Sequence, residues 1–253
     1  MLNYTERGQG PALVFLHAFP LESSMWGAQV DFFATAYRVI TPDILGFGGS
    51  QPPRPWTMHE MADEVVALLD ELKIERCILA GLSMGGYIAL PFTFAHPNRV
   101  ERLVLAHTRA RADLDTERVA RNAMIEELKK DGVATLPDKM LPRLLGPAAS
   151  ESVRNAVRVS IQKTTADADI HAVTAMRDRK DQTAGLGRLE CPTLVIAGSG
   201  DAILKVEDSQ AMAQAIPRAE FVVIPNTGHL SNLEDPPAFN RALDSFLRQS
   251  DSE

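Results

Sequence analysis

Cysteine is scarce in this sequence, long apolar runs and clusters of positive charge are missing, and each absence removes a class of function. Cys77 and Cys191 are the only cysteines among 253 residues and no Cys-x-x-Cys occurs, which excludes a zinc ribbon and a dithiol redox centre. Each opens an apolar run that reads as a strand. If a third strand lies between those two, their backbones stand about 9 to 10 Å apart, beyond the roughly 7 Å that a bridge tolerates, so free thiols are expected. No dense Lys/Arg run occurs and the net charge is −7, which argues against nucleic acid as a partner. No segment approaches the roughly 20 apolar residues that span a bilayer, and the first residues carry neither the basic nor the apolar region of a signal peptide. A cytoplasmic protein without a membrane partner is expected. No Gly-Lys pair supports a phosphate-binding loop, and His59-Glu60 is followed by Asp63 where a zinc-protease motif needs histidine. Gly46, Gly48 and Gly49 lack the dinucleotide motif's further glycine, since position 51 is Gln51. Neither a metal nor another cofactor is expected.

Hydrophobic residues make up 45% of the chain, ample for a large core. Apolar runs at 12–17, 76–80, 102–106, 192–197 and 220–225, with shorter ones at 2–5 and 38–43, read as strands. Between them lie helical patterns at 25–36, 57–73, 84–95, 206–216 and 237–249. Thr57 followed by Glu60 forms a capping box, and Pro91 must kink its helix or remove one hydrogen bond. This alternation specifies a mostly parallel sheet with helices on both faces. From 109 to 190 the pattern changes to helices alone, near 115–131, 133–145, 150–164 and 166–180.

The stretch Ala80-Gly-Leu-Ser-Met-Gly-Gly86 ends a strand and opens a helix. Gly81, Ser83 and Gly85 fit Gly-x-Ser-x-Gly, a sharp turn that exposes a strained serine at a helix amino end. Reactive groups in such sheets gather beyond the carboxyl ends of strands. Asp201 and His229 follow two later strands, so the chain order is Ser, Asp, His. Glu207 and Asp208 are the substitute acids should Asp201 serve only as a helix cap. His17 is expected to be structural, and His59, His96, His107 and His171 to be surface or capping residues.

Leu16-His-Ala-Phe-Pro20, Pro42-Asp-Ile-Leu-Gly-Phe-Gly-Gly-Ser50, Gly81-Leu-Ser-Met-Gly-Gly86, Gly198-Ser-Gly-Asp201 and Gly228-His-Leu-Ser-Asn-Leu-Glu-Asp-Pro236 together resemble the α/β-hydrolase superfamily. Within it the chain is similar to bacterial beta-ketoadipate enol-lactonase-like hydrolases and small carboxylesterases. The resemblance implies a doubly wound core of residues 1–108 and 191–253, with residues 109–190 as a helical lid inserted after the sixth core strand. It implies Ser83 as nucleophile, His229 as general base and Asp201 as its orienting acid. It also implies an oxyanion hole made by the backbone N–H groups of Met84 and Phe19. Ala18 departs from the glycine usual after the histidine.

Residues 109–190 carry 15 Lys and Arg against 13 Asp and Glu, so the segment is basic relative to the rest. Arg109, where the chain leaves the core, is a candidate clamp for a substrate carboxylate, and Trp26, Met124 and Met140 are candidates for an apolar pocket. The expected activity is hydrolysis of a small ester or lactone by a monomer or homodimer. A C–C bond hydrolase, a perhydrolase or a ligand-sensing receptor with slow turnover would use the same three residues.

Overall fold

The computed structural model describes residues 1–249. Its strands are β1 (Tyr4–Arg7), β2 (Ala12–Leu16), β3 (Arg38–Pro42), β4 (Cys77–Leu82), β5 (Val100–Ala106), β6 (Thr193–Gly198) and β7 (Ala219–Ile224). They form one sheet in the order β1-β3-β2-β4-β5-β6-β7. Only β1 runs antiparallel, against β3; every other pair is parallel. Every residue of β2, β4 and β6 is buried, as expected for strands covered by helices on both faces.

The helices of the core are α1 (Gly27–Phe33), α2 (Met58–Glu71), α3 (Met84–Ala95), α8 (Val206–Gln214), the short α9 (Ser231–Glu234) and α10 (Pro236–Leu247). The Thr57 hydroxyl accepts from the Glu60 amide at 3.2 Å while the Thr57 amide donates to the Glu60 carboxylate at 2.7 Å, completing the capping box. Both cysteines are free; Cys77 opens β4, Cys191 lies two residues before β6, and β5 lies between those strands. Trp26, expected in a pocket, belongs to the core instead. Its ring is wholly buried, stacked 4.6 Å from Phe15 and lying 5.9 Å from Phe239. A large apolar side chain at helical spacing gains more from packing under the sheet than from lining a wet cleft.

From β2 the chain passes to β3 on one side, then crosses back to β4 on the other. That reversal opens a crevice beyond the carboxyl ends of β2 and β4, the place where parallel sheets bind ligands. The residues following β2 and the residues following β4 therefore face each other across it.

Between β5 and β6 the chain forms α4 (Asp115–Asp131), α5 (Leu136–Leu144), α6 (Glu151–Gln162) and α7 (Ala166–Arg177). Five strands precede this segment, where the resemblance implied six. Here α4 packs on α7 and α5 on α6. The segment begins with a buried ionic knot, in which Asp113 meets Arg179 and Arg121 at 2.7 Å each and Arg109 at 3.1 Å. Burial alone would raise the Asp113 pKa, and the surrounding guanidinium groups bring it below the ordinary value. Arg179 also lies 4.1 Å above the Tyr87 ring of α3, which ties the knot to the core. Among the described residues no helix is long and apolar enough to cross a membrane.

Candidate active site

Ser83 joins β4 to α3 with φ at +55°, in the left-handed region that residues other than glycine rarely adopt. The turn closes this tightly because its neighbours lack side chains. A Cβ on Gly81 would collide with the backbone of Gly85 and Gly86, and one on Gly85 with the Leu16 carbonyl. The Ser83 side chain does not cap α3, so its hydroxyl is not spent on the helix.

Asp201 follows β6, and its Oδ1 accepts from the Ile203 and Leu204 amides at 2.8 and 3.0 Å. Its Oδ2 lies 2.7 Å from Nδ1 of His229. Burial works to raise the Asp201 pKa, yet His229 and His107 together hold it far below the ordinary carboxylate range. The carboxyl group is an anion. Glu207 and Asp208 lie exposed on α8 and are no substitutes.

His229 sits in the loop between β7 and α9, and the helical segment helps to hold it. Its amide donates to the Leu144 carbonyl at 3.0 Å, and Glu234 accepts from the amides of both Gly146 and Gly228 at 2.9 Å. With Nδ1 against Asp201, Nε2 of His229 is buried and has no hydrogen-bond partner. Ser83 and His229 line one cavity of about 140 Å³, together with Phe19, Tyr87, Met124, Met140, Arg143 and neighbouring residues.

Arg109 is also on the cavity wall, but its guanidinium is already engaged by Asp113 at 3.1 Å and Glu117 at 2.8 Å. Glu117 is correspondingly acidic, its pKa brought down to about 2 by its hydrogen bond to Arg111, the Leu114 amide and the charges of Arg109 and Arg111. Arg121, on the same wall, pairs with Asp113. Arg143 has no such partner among the described residues. Met84 is wholly buried, and its side chain is not part of the lining.

His17 is structural in the sense expected. It is buried, accepts from the Ile44 amide at Nε2 (2.8 Å) and holds Nδ1 3.0 Å from the Ala18 carbonyl. Burial lowers its pKa, so the ring is neutral.

His107 overturns its expectation as a surface or capping residue. It is wholly buried, with φ at +48°, and its Nδ1 lies 3.0 Å from the same Asp201 Oδ2 that His229 uses. Its Nε2 lies 2.6 Å from the Ser231 hydroxyl. No motif surrounds it, but its position directly after β5 places it at the carboxyl end of a core strand, the same signal that picks out Ser83 and Asp201. Donor atoms of His107, Asp201 and His229 lie within 4.8 Å of one another, close enough for a metal ion. Both imidazole Nδ1 atoms lie within hydrogen-bond distance of Asp201 Oδ2.

The sequence model of the alpha/beta hydrolase fold matches residues 11–236. The chain belongs to that family. As an α/β-hydrolase it is 31% identical to 3-oxoadipate enol-lactonase 1 of Acinetobacter baylyi over 241 residues, covering 94% of this chain and 89% of that protein. Among solved structures, a thermophilic esterase from Thermogutta terrifontis, determined with malate bound, superposes with a TM-score of 0.94 at 36% identity. That match covers 98% of this α/β-hydrolase and 93% of the esterase. The enol-lactonase of Burkholderia xenovorans superposes with a TM-score of 0.91 at 29% identity, covering 98% and 96%.

Proposed function

We propose that this α/β-hydrolase cleaves a small carboxylic ester or lactone through an acyl-enzyme on Ser83. The observation that carries the reading is the buried, unpartnered Nε2 of His229 on the cavity that Ser83 lines, with Nδ1 anchored to an anionic Asp201. A neutral imidazole with hydrogen on Nδ1 presents a lone pair at Nε2, which is what a general base for a serine hydroxyl requires.

In the proposed cycle His229 takes the Ser83 proton as Oγ attacks the substrate carbonyl, and Asp201 stabilises the resulting imidazolium. The imidazolium then returns the proton to the departing alkoxide. Water, deprotonated by the same ring, releases the acid. The oxyanion is received by the amides of Met84 and Phe19. The first N–H groups of a helix have no partner within it, and Met84 opens α3; Phe19 borders the cavity from the loop after β2. Residues 109–190 act as a cap, since α4, α5 and α7 supply Met124, Met140 and Met176 to the cavity wall.

A cavity of about 140 Å³ favours a short acyl group. The arginine pattern refines the substrate class. Arg109 and Arg121 are already held in ion pairs with Asp113 and Glu117, so a substrate carboxylate meets its unpaired cation at Arg143, in place of the Arg109 clamp first expected. The names of the enol-lactonase relatives and the malate-bound esterase are in keeping with an acidic substrate.

The test is hydrolysis of p-nitrophenyl acetate and a lactone panel by wild type and Ser83→Ala, with phosphonate labelling read by intact-protein mass. The expected result is turnover and one adduct in wild type and neither in Ser83→Ala. Undiminished hydrolysis by Ser83→Ala would overturn the reading.

A further inference from the structure

We infer that His107, hydrogen-bonded between Asp201 and Ser231, is a positioning residue that shares the charge of Asp201 with His229 and thereby sets the pH range of the reaction. The inference rests on the proposed Ser83, His229 and Asp201 mechanism and adds a second arm to it.

Asp201 Oδ2 is approached by two imidazole nitrogens, Nδ1 of His229 at 2.7 Å and Nδ1 of His107 at 3.0 Å. An ionised carboxylate only accepts, so each contact is a hydrogen bond only when each Nδ1 carries hydrogen. In a neutral His107 that leaves a lone pair at Nε2, and the Ser231 hydroxyl stands 2.6 Å away to donate to it. Ser231 is wholly buried at the start of α9. Burial disfavours a charged His107, working against the attraction of Asp201. The hydrogen-bond chain therefore runs from Ser231 to His107 to Asp201, and meets the one from His229 on a single oxygen.

Two consequences follow from that junction. With Oδ1 held by two amides and Oδ2 by two imidazoles, the carboxylate plane is fixed against rotation, and the His229 ring is aimed with it. The negative charge that would stabilise the His229 imidazolium is also divided between two N–H donors. Taking His107 away leaves the whole charge to His229, which favours the protonated ring. Other groups facing His229 are Ser83 across the cavity and Arg109, Glu117, Arg121 and Arg143 on its wall, while Glu234 anchors its loop through Gly228. All of these are retained when position 107 or 231 is changed.

The test compares His107→Asn, whose side-chain N–H still reaches toward Asp201, with His107→Leu, which fills the space and donates nothing. Full kcat and kcat/KM pH profiles on an ester substrate are the readout, with urea unfolding as the control for folding. For His107→Leu the acid limb of kcat/KM is expected to move up by roughly half a pH unit, and kcat to fall about ten-fold at unchanged KM. His107→Asn is expected to restore both toward wild type. Ser231→Ala, which removes the hydrogen bond at Nε2 and loosens the hold on the His107 ring, is expected to move the limb in the same direction as His107→Leu. Equal profiles for the Leu and Asn variants would overturn the inference, as would an unmoved limb in Ser231→Ala should His107→Leu not fold. A Ser83→Ala protein that remains active brings down the underlying mechanism instead. An inactive Ser83→Ala beside a wild-type profile for His107→Leu brings down only the role of His107.

Discussion

Replacing Asp169 by asparagine is expected to make the protein more resistant to unfolding as pH rises, relative to wild type. Asp169 lies in the first turn of α7 with no exposed surface; one carboxyl oxygen is bonded to the Thr164 hydroxyl at 2.7 Å, and the other has no partner among the described residues. A helix amino end favours negative charge, but burial wins here and raises the pKa from 3.8 to about 7. The unfolded chain gives up this proton near 3.8, whereas the folded chain keeps it until about 7. Between those values the folded state binds more protons, so its stability falls as pH increases, and the loss is complete above about 7. A displacement of about three units corresponds to ~4 kcal/mol in all. Roughly 3 kcal/mol of it develops between pH 5 and pH 8. Asparagine does not titrate, and any unpaired amide hydrogen it introduces costs the same at each pH. The assay is urea unfolding of both proteins at pH 5, 6, 7 and 8, accepted where their m-values agree. The stability of Asp169→Asn minus that of wild type should grow by about 3 kcal/mol across the series. A difference that stays constant with pH would refute the reasoning.

Arg143→Ala is expected to raise KM about ten-fold for esters carrying a free carboxylate and to leave neutral esters of the same size nearly unchanged; equal effects on both would remove Arg143 from recognition. Asp113→Asn leaves three guanidinium groups around a neutral side chain, and a loss of about 3 to 5 kcal/mol in chemical denaturation is expected. Gly85→Ala, forced against the Leu16 carbonyl, should abolish phosphonate labelling of Ser83 before it abolishes the far-ultraviolet helical signal. Cys77 is buried, which pushes its thiol pKa up to about 12; in native protein at pH 8 it should resist Ellman's reagent and react once urea is added.

Much of the fold could be read from the sequence because local and tertiary signals agreed. The run after Arg76 is apolar without interruption and ends in glycines, and it is indeed a strand buried at every position and closed by a turn. Helix α4 was expected over 115–131 and occupies Asp115–Asp131, for acidic residues open it and Gly132 ends it. The start of the chain was harder. Strand β1 lies two residues later than 2–5 because pairing of Tyr4–Arg7 with β3 decides its position, and antiparallel register leaves no trace in a four-residue stretch. Side-chain destinations were the least legible. Trp26 has the spacing of a helix face, which does not say whether that face meets a cavity or Phe15. Arg109 lines the cavity, yet no linear pattern reveals that Asp113 and Glu117 already pair with it. No motif surrounds His107 in the sequence, although the rule about strand ends applies to it as fully as to Asp201. Ser231 could be found only from coordinates, since it is brought to His107 across 124 positions of chain.

The helical segment leaves the sheet after β5 and returns to β6, two strands that are hydrogen-bonded neighbours from Leu103 with Thr193 to Ala106 with Ile196. Its points of departure and re-entry are therefore adjacent, and the pairing beneath does not depend on what is spliced between them. Substitutions in that segment can therefore change the cavity wall that it supplies while the Ser83 turn and the strands beside it keep their register. In this architecture Met124, Met140 and Met176 of the cavity wall are carried on a stretch of polypeptide separate from the one that forms the Ser83 turn.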